Sequence, residues 1–304
     1  MLNVLRKPPV FPLNLIADSP AAQFGLLSRE VEMSATMERR KRFRAMHETG
    51  CFVIPSPWDV GTARMMQQLG FRAISTTSAG LAWSIGRPQY KITFDDVLEH
   101  LASICEKVDL PVTADFESGF AKDPEGICIN VDVVVETGIA GFSIEDRDAD
   151  GDRAIFEMRL AAERIQAARE SLDHFGNDVI LVAQTGGLLT DPTSVAATTD
   201  RLVAFAEAGA DCLCAPGVRT RQDIASMVRA VAPKPLSVLM MGMDLTVAEL
   251  ADLGVRRISV DAGLAQIAWD ALLSAARSMQ NSSFDGLSCD TSGSDLDDRF
   301  GKFL

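Results

Sequence analysis

No stretch of the 304-residue chain stays apolar for the ~18 positions a membrane span needs, so no transmembrane helix is expected. The chain is also short of positive charge. Its 29 Lys and Arg face 42 Asp and Glu, a formal net charge of −13. That argues against nucleic acid and anionic membranes as partners. It says little about a small anionic ligand, because a local cation can reverse the field inside one cleft. The six cysteines (Cys51, Cys105, Cys128, Cys212, Cys214 and Cys289) have neither zinc-ligand spacing nor the density of a disulfide framework. A reducing, cytoplasmic compartment is therefore expected. Cys212 and Cys214 alternate along a predicted strand and read as packing residues. Prolines interrupt the N-terminal stretch MLNVLRKPPVFPLNLIA. It does not read as a secretory signal, and an organellar transit peptide is the alternative to a plain cytoplasmic start.

What the chain does have is rhythm. Residues 1–45 read as an N-terminal extension, with no strong period and four prolines in the first 35 positions. Within it, MERRKRFRAM (37–46) reads as a solvated helix face in preference to a nucleic-acid patch. From Cys51 onward, short apolar runs alternate with longer amphipathic segments. The runs are CFVIP, RAISTT, LPVTA, AGFSI, VILVA, DCLCA, PLSVL and RRISV. Apolar strands alternating with helices imply a parallel sheet covered on both faces. Eight such units predict an α/β protein with a (β/α)8 TIM barrel over residues 46–280. A doubly wound open sheet is the runner-up, but no Gly-rich dinucleotide fingerprint follows the first strand. Residues 281–304 read as a polar linker followed by an amphipathic docking helix, LDDRFGKFL.

Barrel active sites lie where the strands end, so the polar residues after each run are the ones to inspect. Trp58 and Asp59 follow the first run, and Thr77, Ser78 and Gly80 the second. Asp115 and Glu117 follow the third, Glu145 and Asp146 the fourth, Gln184 and Thr185 the fifth, and Asp261 the eighth. Asp115, Glu117 and Glu145 would share one mouth. Three carboxylates in a small, partly dry site need a cation or raised pKa values. Mg2+, with Mn2+ as the alternative, answers both needs and prefers oxygen ligands. The competing reading is helix caps and loop salt bridges, for which Asp123 before Pro124 is the clearest candidate. The small-residue turn Thr76–Gly80 suits an oxyanion or carboxylate, or is an ordinary βα turn.

Four segments, SPWDVGTARMMQQLGFRAISTTSAGLAWSIG, LPVTADFESGF, GIAGFSIEDRDADG and LTVAELADLGVRRISV, together resemble the isocitrate lyase/phosphoenolpyruvate mutase superfamily, in particular its short members. The resemblance runs from about Cys51 to about Met279. It implies a (β/α)8 barrel with Mg2+ bound by Asp115, Glu117 and Glu145, partly through water. It also implies that the Thr77–Ser78–Ala79 turn receives a 2-oxo carboxylate, and that the C-terminal helix is exchanged between subunits of a homodimer or homotetramer. Thr77, Ser78, Asp115 and Gln184 are the expected catalytic residues. Trp58, Asp59, Ala79, Gln89 and Ser237 join them as expected substrate contacts.

The departures from the family pattern matter as much. Gln89 stands where an Asp is common, Gln184 where an Arg grips an anion, and Gly186 where an Asp is common. Ser237 replaces an Asn and Asp261 a Gly. The lyase loop that carries a catalytic Cys has no counterpart. Losing the strand-five Arg removes a permanent bidentate clamp, so the ligand end facing Gln184 is expected to be less anionic. The expected function is Mg2+-dependent C–C cleavage or decarboxylation of a small 2-oxo or 2-hydroxy carboxylic acid through an enolate. The alternatives are C–P chemistry on a phosphonopyruvate-like compound and a catalytically silent barrel with a binding role.

Overall fold

The computed structural model describes residues 20–148, 155–174, 178–240 and 242–303, with the backbone alone for residues 20–30. All eight predicted strands form on the apolar runs that predicted them, with the third, fourth and fifth running one residue further, to Asp115, Glu145 and Gln184. They are β1 (Phe52–Ile54), β2 (Ile74–Ser75), β3 (Val112–Asp115), β4 (Gly141–Glu145), β5 (Ile180–Gln184), β6 (Cys212–Cys214), β7 (Leu236–Leu239) and β8 (Arg257–Ser259). Every ladder is parallel, in the order β1-β8-β7-β6-β5-β4-β3-β2. A first strand hydrogen-bonded to the eighth excludes the doubly wound alternative. Between β1 and β2 the Ser75 N–H donates to the Pro55 carbonyl at 2.9 Å, which draws the two ends of the sheet together into a barrel.

Helices return the chain between strands. They are α1 (Pro20–Glu48), ahead of β1, then α2 (Val60–Gln68), α3 (Ser78–Ser84), α4 (Phe94–Lys107), α5 (Pro124–Val135), α6 (Met158–His174), α7 (Gly187–Thr190), α8 (Val195–Glu207), α9 (Arg221–Val231), α10 (Val247–Asp252), α11 (Gly263–Gln280) and α12 (Gly293–Gly301). Their starts obey local capping chemistry. Asp123 caps α5, its Oδ1 accepting from the Gly126 N–H at 2.9 Å, with Pro124 at the first helical position. The cap reading of Asp123 is thus correct.

The compact body begins at Arg39 and runs to the C-terminus, so residues 39–45 belong with the barrel. The 37–46 charge run is the clearest correction to the sequence reading. Glu38, Lys41, Arg42 and Ala45 are exposed as a solvated face requires, but Arg39, Arg40 and Arg44 turn inward. Arg40 is buried and donates to the carbonyls of Val135 (2.8 Å) and Ile139 (2.9 Å). Arg39 donates to the Val108 carbonyl (3.2 Å), and Arg44 pairs with Asp211 (3.2 Å). These guanidinium groups satisfy carbonyls at the ends of barrel helices and hold the last turns of α1 across the N-terminal end of the barrel. Phe43 is fully buried against the barrel floor. A Cβ at Gly141 would stand 2.8 Å from its ring and 3.0 Å from the Ile180 carbonyl, so only glycine fits.

Helix α12 starts at Gly293, ahead of the predicted LDDRFGKFL segment (296–304), takes in its first six residues and packs on α2 of its own chain. The Arg64 guanidinium lies 4.7 Å from the centre of the Phe303 ring, and Gln68 donates to the Arg299 carbonyl. All six cysteines are free. Among the described residues no helix is long and apolar enough to cross a membrane.

Candidate active site at the barrel mouth

Alternation along parallel strands sends every second residue inward. Register then sets which inward residues share a level. Asp115 pairs with Ser143, Glu145 with Gln184, and Gln184 with Cys214. These residues line one cavity of about 240 Å³, to which Gln89, Ser237, Arg257 and Asp261 also contribute.

The carboxylates are fixed from several sides. The Glu145 N–H donates to the Glu117 carbonyl at 2.8 Å, joining the two loops. Oδ2 of Asp115 accepts the Ser78 N–H at 2.9 Å, and the Asp115 N–H donates to Thr76 Oγ1 at 3.0 Å. Buried Arg164 donates to the carbonyls of Ser118, Ala121 and Glu145 and stacks on Phe156. It therefore clamps the backbone around both Glu117 and Glu145. Gly119, at φ +76°, makes the tight return after Glu117; a Cβ there would meet Ile127 at 2.5 Å. Glu117 and Asp261 also sit at positive φ, +45° and +46°. Such backbone is costly and clusters at functional sites.

The electrostatics follow from burial. Desolvation, then the Asp115 charge, pushes Glu117 up to about 8. Desolvation, then Asp115 and Glu117, pushes Glu145 up to about 8. Glu145 is half-buried, and its exposed surface faces the cavity. Asp261 is raised to about 6 by burial and then by Asp115. Four carboxyl groups thus crowd one small space, and Oε1 of Glu117 is buried without a hydrogen-bond partner. An all-oxygen, electron-rich set with an orphaned buried oxygen is the donor chemistry that Mg2+ or Mn2+ takes. Among the described residues no three acidic, His or Cys side chains close on one point as direct ligands. An ion bound there would have to keep part of its water shell.

The remaining expected residues divide. Ser78, Gln89, Gln184 and Ser237 line the cavity, and Nε2 of Gln184 donates to Oε2 of Glu145 at 3.4 Å. Thr77 and Ala79 are buried in the same turn without lining it; Thr77 caps α3 by accepting the Gly80 N–H at 3.3 Å. Asp59 is exposed and occupied as the cap of α2, where its Oδ1 accepts from the Thr62 N–H at 2.7 Å. Trp58 precedes that cap and does not line the cavity either. Asp146 is buried but turned away, bonded to the Gly186 N–H at 2.9 Å and paired with Arg201 at 3.3 Å.

Two cavity cations escaped the sequence reading. Arg147 stacks 3.9 Å from the Tyr90 ring centre, and its charge counters the upward shift of Glu145. Arg257 rises from the barrel interior on β8. Inward parity was the available signal for Arg257, since it shares a strand face with Ser259.

Residues 43–280 match the family model for phosphoenolpyruvate phosphomutase. An uncharacterized protein of Mycobacterium tuberculosis is 30% identical over 219 residues, covering 71% of this chain and 80% of that protein. The oxaloacetate decarboxylase of Pseudomonas aeruginosa is 31% identical over 192 residues, 60% of this chain and 64% of the relative. A Burkholderia cenocepacia structure described as a lyase/mutase superposes with a TM-score of 0.84 at 38% identity, covering 88% of this chain and 97% of that one.

Proposed function

The chain belongs to the phosphoenolpyruvate phosphomutase family, and from that premise we propose that it is a Mg2+-dependent carbon–carbon lyase. Its substrate is a small 2-oxo or 2-hydroxy carboxylic acid, cleaved or decarboxylated through an enolate. The observation that carries this reading is that Asp115 and Glu145 line one cavity with Ser78 and Gln184, while Glu117 is buried beside them, joined to Glu145 through its carbonyl and acted on by the Asp115 charge. The oxaloacetate decarboxylase among its relatives supports the C–C assignment.

Asp115, Glu117 and Glu145 would hold the ion, which supplies positive charge beside the oxygen that turns anionic in the transition state. The chain's own residues do the rest. The Asp115–Ser78 bond fixes the turn against the carboxylates. Gln184 orients Glu145 and presents a neutral amide to the ligand. Val182 and Pro216 give the cavity an apolar wall. Asp261, raised to about 6, is placed to exchange a proton near neutrality.

The same reading includes a homodimer or homotetramer. Ile267, Leu272 and Leu273 of α11 and the nearby Phe284 are exposed apolar residues that a partner would cover. Light scattering on the full chain decides this, and a monomer removes that part of the proposal.

The activity is tested by incubating the protein with 2-oxo and 2-hydroxy acids, with Mg2+ or with EDTA, and following products by mass spectrometry. Mg2+-dependent loss of carbon dioxide or a C–C fragment is expected. A metal-loaded protein that turns over no member of the panel is a silent barrel.

A further inference from the structure

Arg257 is the first residue of β8, paired in register with Phe52 on one side and Ser237 on the other. Its side chain points into the barrel and lines the same cavity as Asp115 and Glu145. It is 5% exposed, and its Nε and Nη1 find no hydrogen-bond partner among the described residues. No carboxylate there lies within ion-pair distance. Asp115 is near enough to act on Arg257 through charge, but its Oδ2 is bonded to Ser78. The neighbours from β6 are the thiols of Cys212 and Cys214. Below it is His47, which burial, then the Arg257 charge, drives down to about 4, leaving it neutral.

A guanidinium keeps its charge at neutral pH even when buried. Leaving one desolvated without an anion is among the costlier features a fold can carry. The Arg39, Arg40 and Arg44 side chains nearby all find carbonyl or carboxylate acceptors. Arg257 differs from them in that its open side is the cavity.

We propose that Arg257 is the specificity-determining anion receptor of this site, taking a ligand carboxylate from inside the barrel. The proposal rests on the lyase reading and deepens it. The ligand would be a small dicarboxylate, with one end held at the carboxylate cluster and its second carboxylate directed down to Arg257. Gln184, at the rim, then faces the neutral part of the molecule. The recognition uses charge-assisted N–H···O bonds that a monocarboxylate held at the cluster could not make.

The test uses malonate and acetate as probes, titrated by calorimetry into the full chain with Mg2+ present, for wild type and Arg257→Met. Malonate should bind wild type more tightly than acetate, and Arg257→Met should lose about tenfold or more of the malonate affinity while acetate is unmoved. The ligand-free variant should melt at or above the wild-type temperature, since an unpaired buried charge is replaced by an apolar side chain. Equal malonate affinity in a folded Arg257→Met protein overturns the proposal. So does a variant that melts lower and keeps its malonate affinity, which marks a structural arginine. Should the variant not fold, the 15N resonance of Arg257 Nε in wild type decides. It must shift on titration with malonate and stay still with acetate, and a resonance indifferent to malonate overturns the proposal. Malonate recognition through Arg257 without turnover of any 2-oxo acid would remove the lyase reading alone. Turnover with Arg257→Met and wild type alike toward malonate would remove the anion receptor alone.

Discussion

The backbone N–H of Ser78 donates to Oδ2 of Asp115 at 2.9 Å, tying the turn after the second strand to the carboxylate that ends the third. Asp115 is also the like charge that raises both Glu117 and Glu145. Asp115→Asn keeps an acceptor for Ser78 and removes the charge. It should weaken Mg2+ binding by roughly 10–100-fold, the range for disturbing a metal's ligand surroundings. The metal-free melting temperature should not fall, because relief of repulsion offsets the weaker hydrogen bond. Calorimetry and thermal melts of the two proteins in EDTA check both parts.

Glu117 and Glu145 are raised from an ordinary 4.5 to about 8. Between those values the folded metal-free protein holds protons that the unfolded chain has released. By linkage, its stability is full below the ordinary carboxylate range and falls as pH rises toward about 8. Mg2+ requires the ionised forms, so its stabilising effect should grow over the same window. Melting curves with EDTA and with Mg2+ across this range should diverge as pH increases. Parallel curves would mean that the ion does not sit among these carboxylates.

The strands were legible because burial on both faces of a parallel sheet writes them as apolar runs. The carboxylates at their ends were legible because few reasons exist for charge there. Asp59 shows the limit of that logic. It too follows a strand, but Thr62, three residues on, completes a reciprocal cap with it, and a cap and a site residue look alike from the strand side. The arginines at 39, 40 and 44 were misread because a charge run does not show that it spans carbonyls presented by distant helix ends. Arg257 was hidden inside a run read as apolar, where only its parity with Ser259 pointed inward.

Gln184 donates to Glu145 at 3.4 Å from within the cavity. Gln184→Arg would add a permanent cation at the rim. Binding preference should move toward ligands with an anionic group at that end, by roughly 1.5–3 kcal/mol for a charge-assisted bond. Calorimetry against mono- and dicarboxylate 2-oxo acids with Mg2+ present reads the shift. An unchanged preference in a folded variant would show that Gln184 does not meet the ligand.

Phe43 closes the barrel floor against Phe52, with ring centres 6.4 Å apart, and against Gly141. Phe43→Ala should cost about 3–5 kcal/mol in urea unfolding, as buried Phe truncations do. Mg2+ affinity should change little in the fraction that stays folded, because the floor and the carboxylate cluster lie at opposite ends of the strands. A loss below 1 kcal/mol, roughly the cost of a single buried methylene, would mean that α1 does not seal the barrel as described.

The central claim is an enolate formed at a metal-dependent site, and proton NMR in deuterated water tests it most directly. An enzyme that stabilises the enolate of a 2-oxo acid exchanges the hydrogens on the adjacent carbon even where no bond to carbon is cleaved. With Mg2+, the wild-type protein should catalyse deuterium uptake at C3 of pyruvate or of a dicarboxylate 2-oxo acid, and both EDTA and Asp115→Ala should remove that uptake. Metal-loaded wild-type protein that leaves every such acid exchanging at the rate of buffer alone would contradict the account.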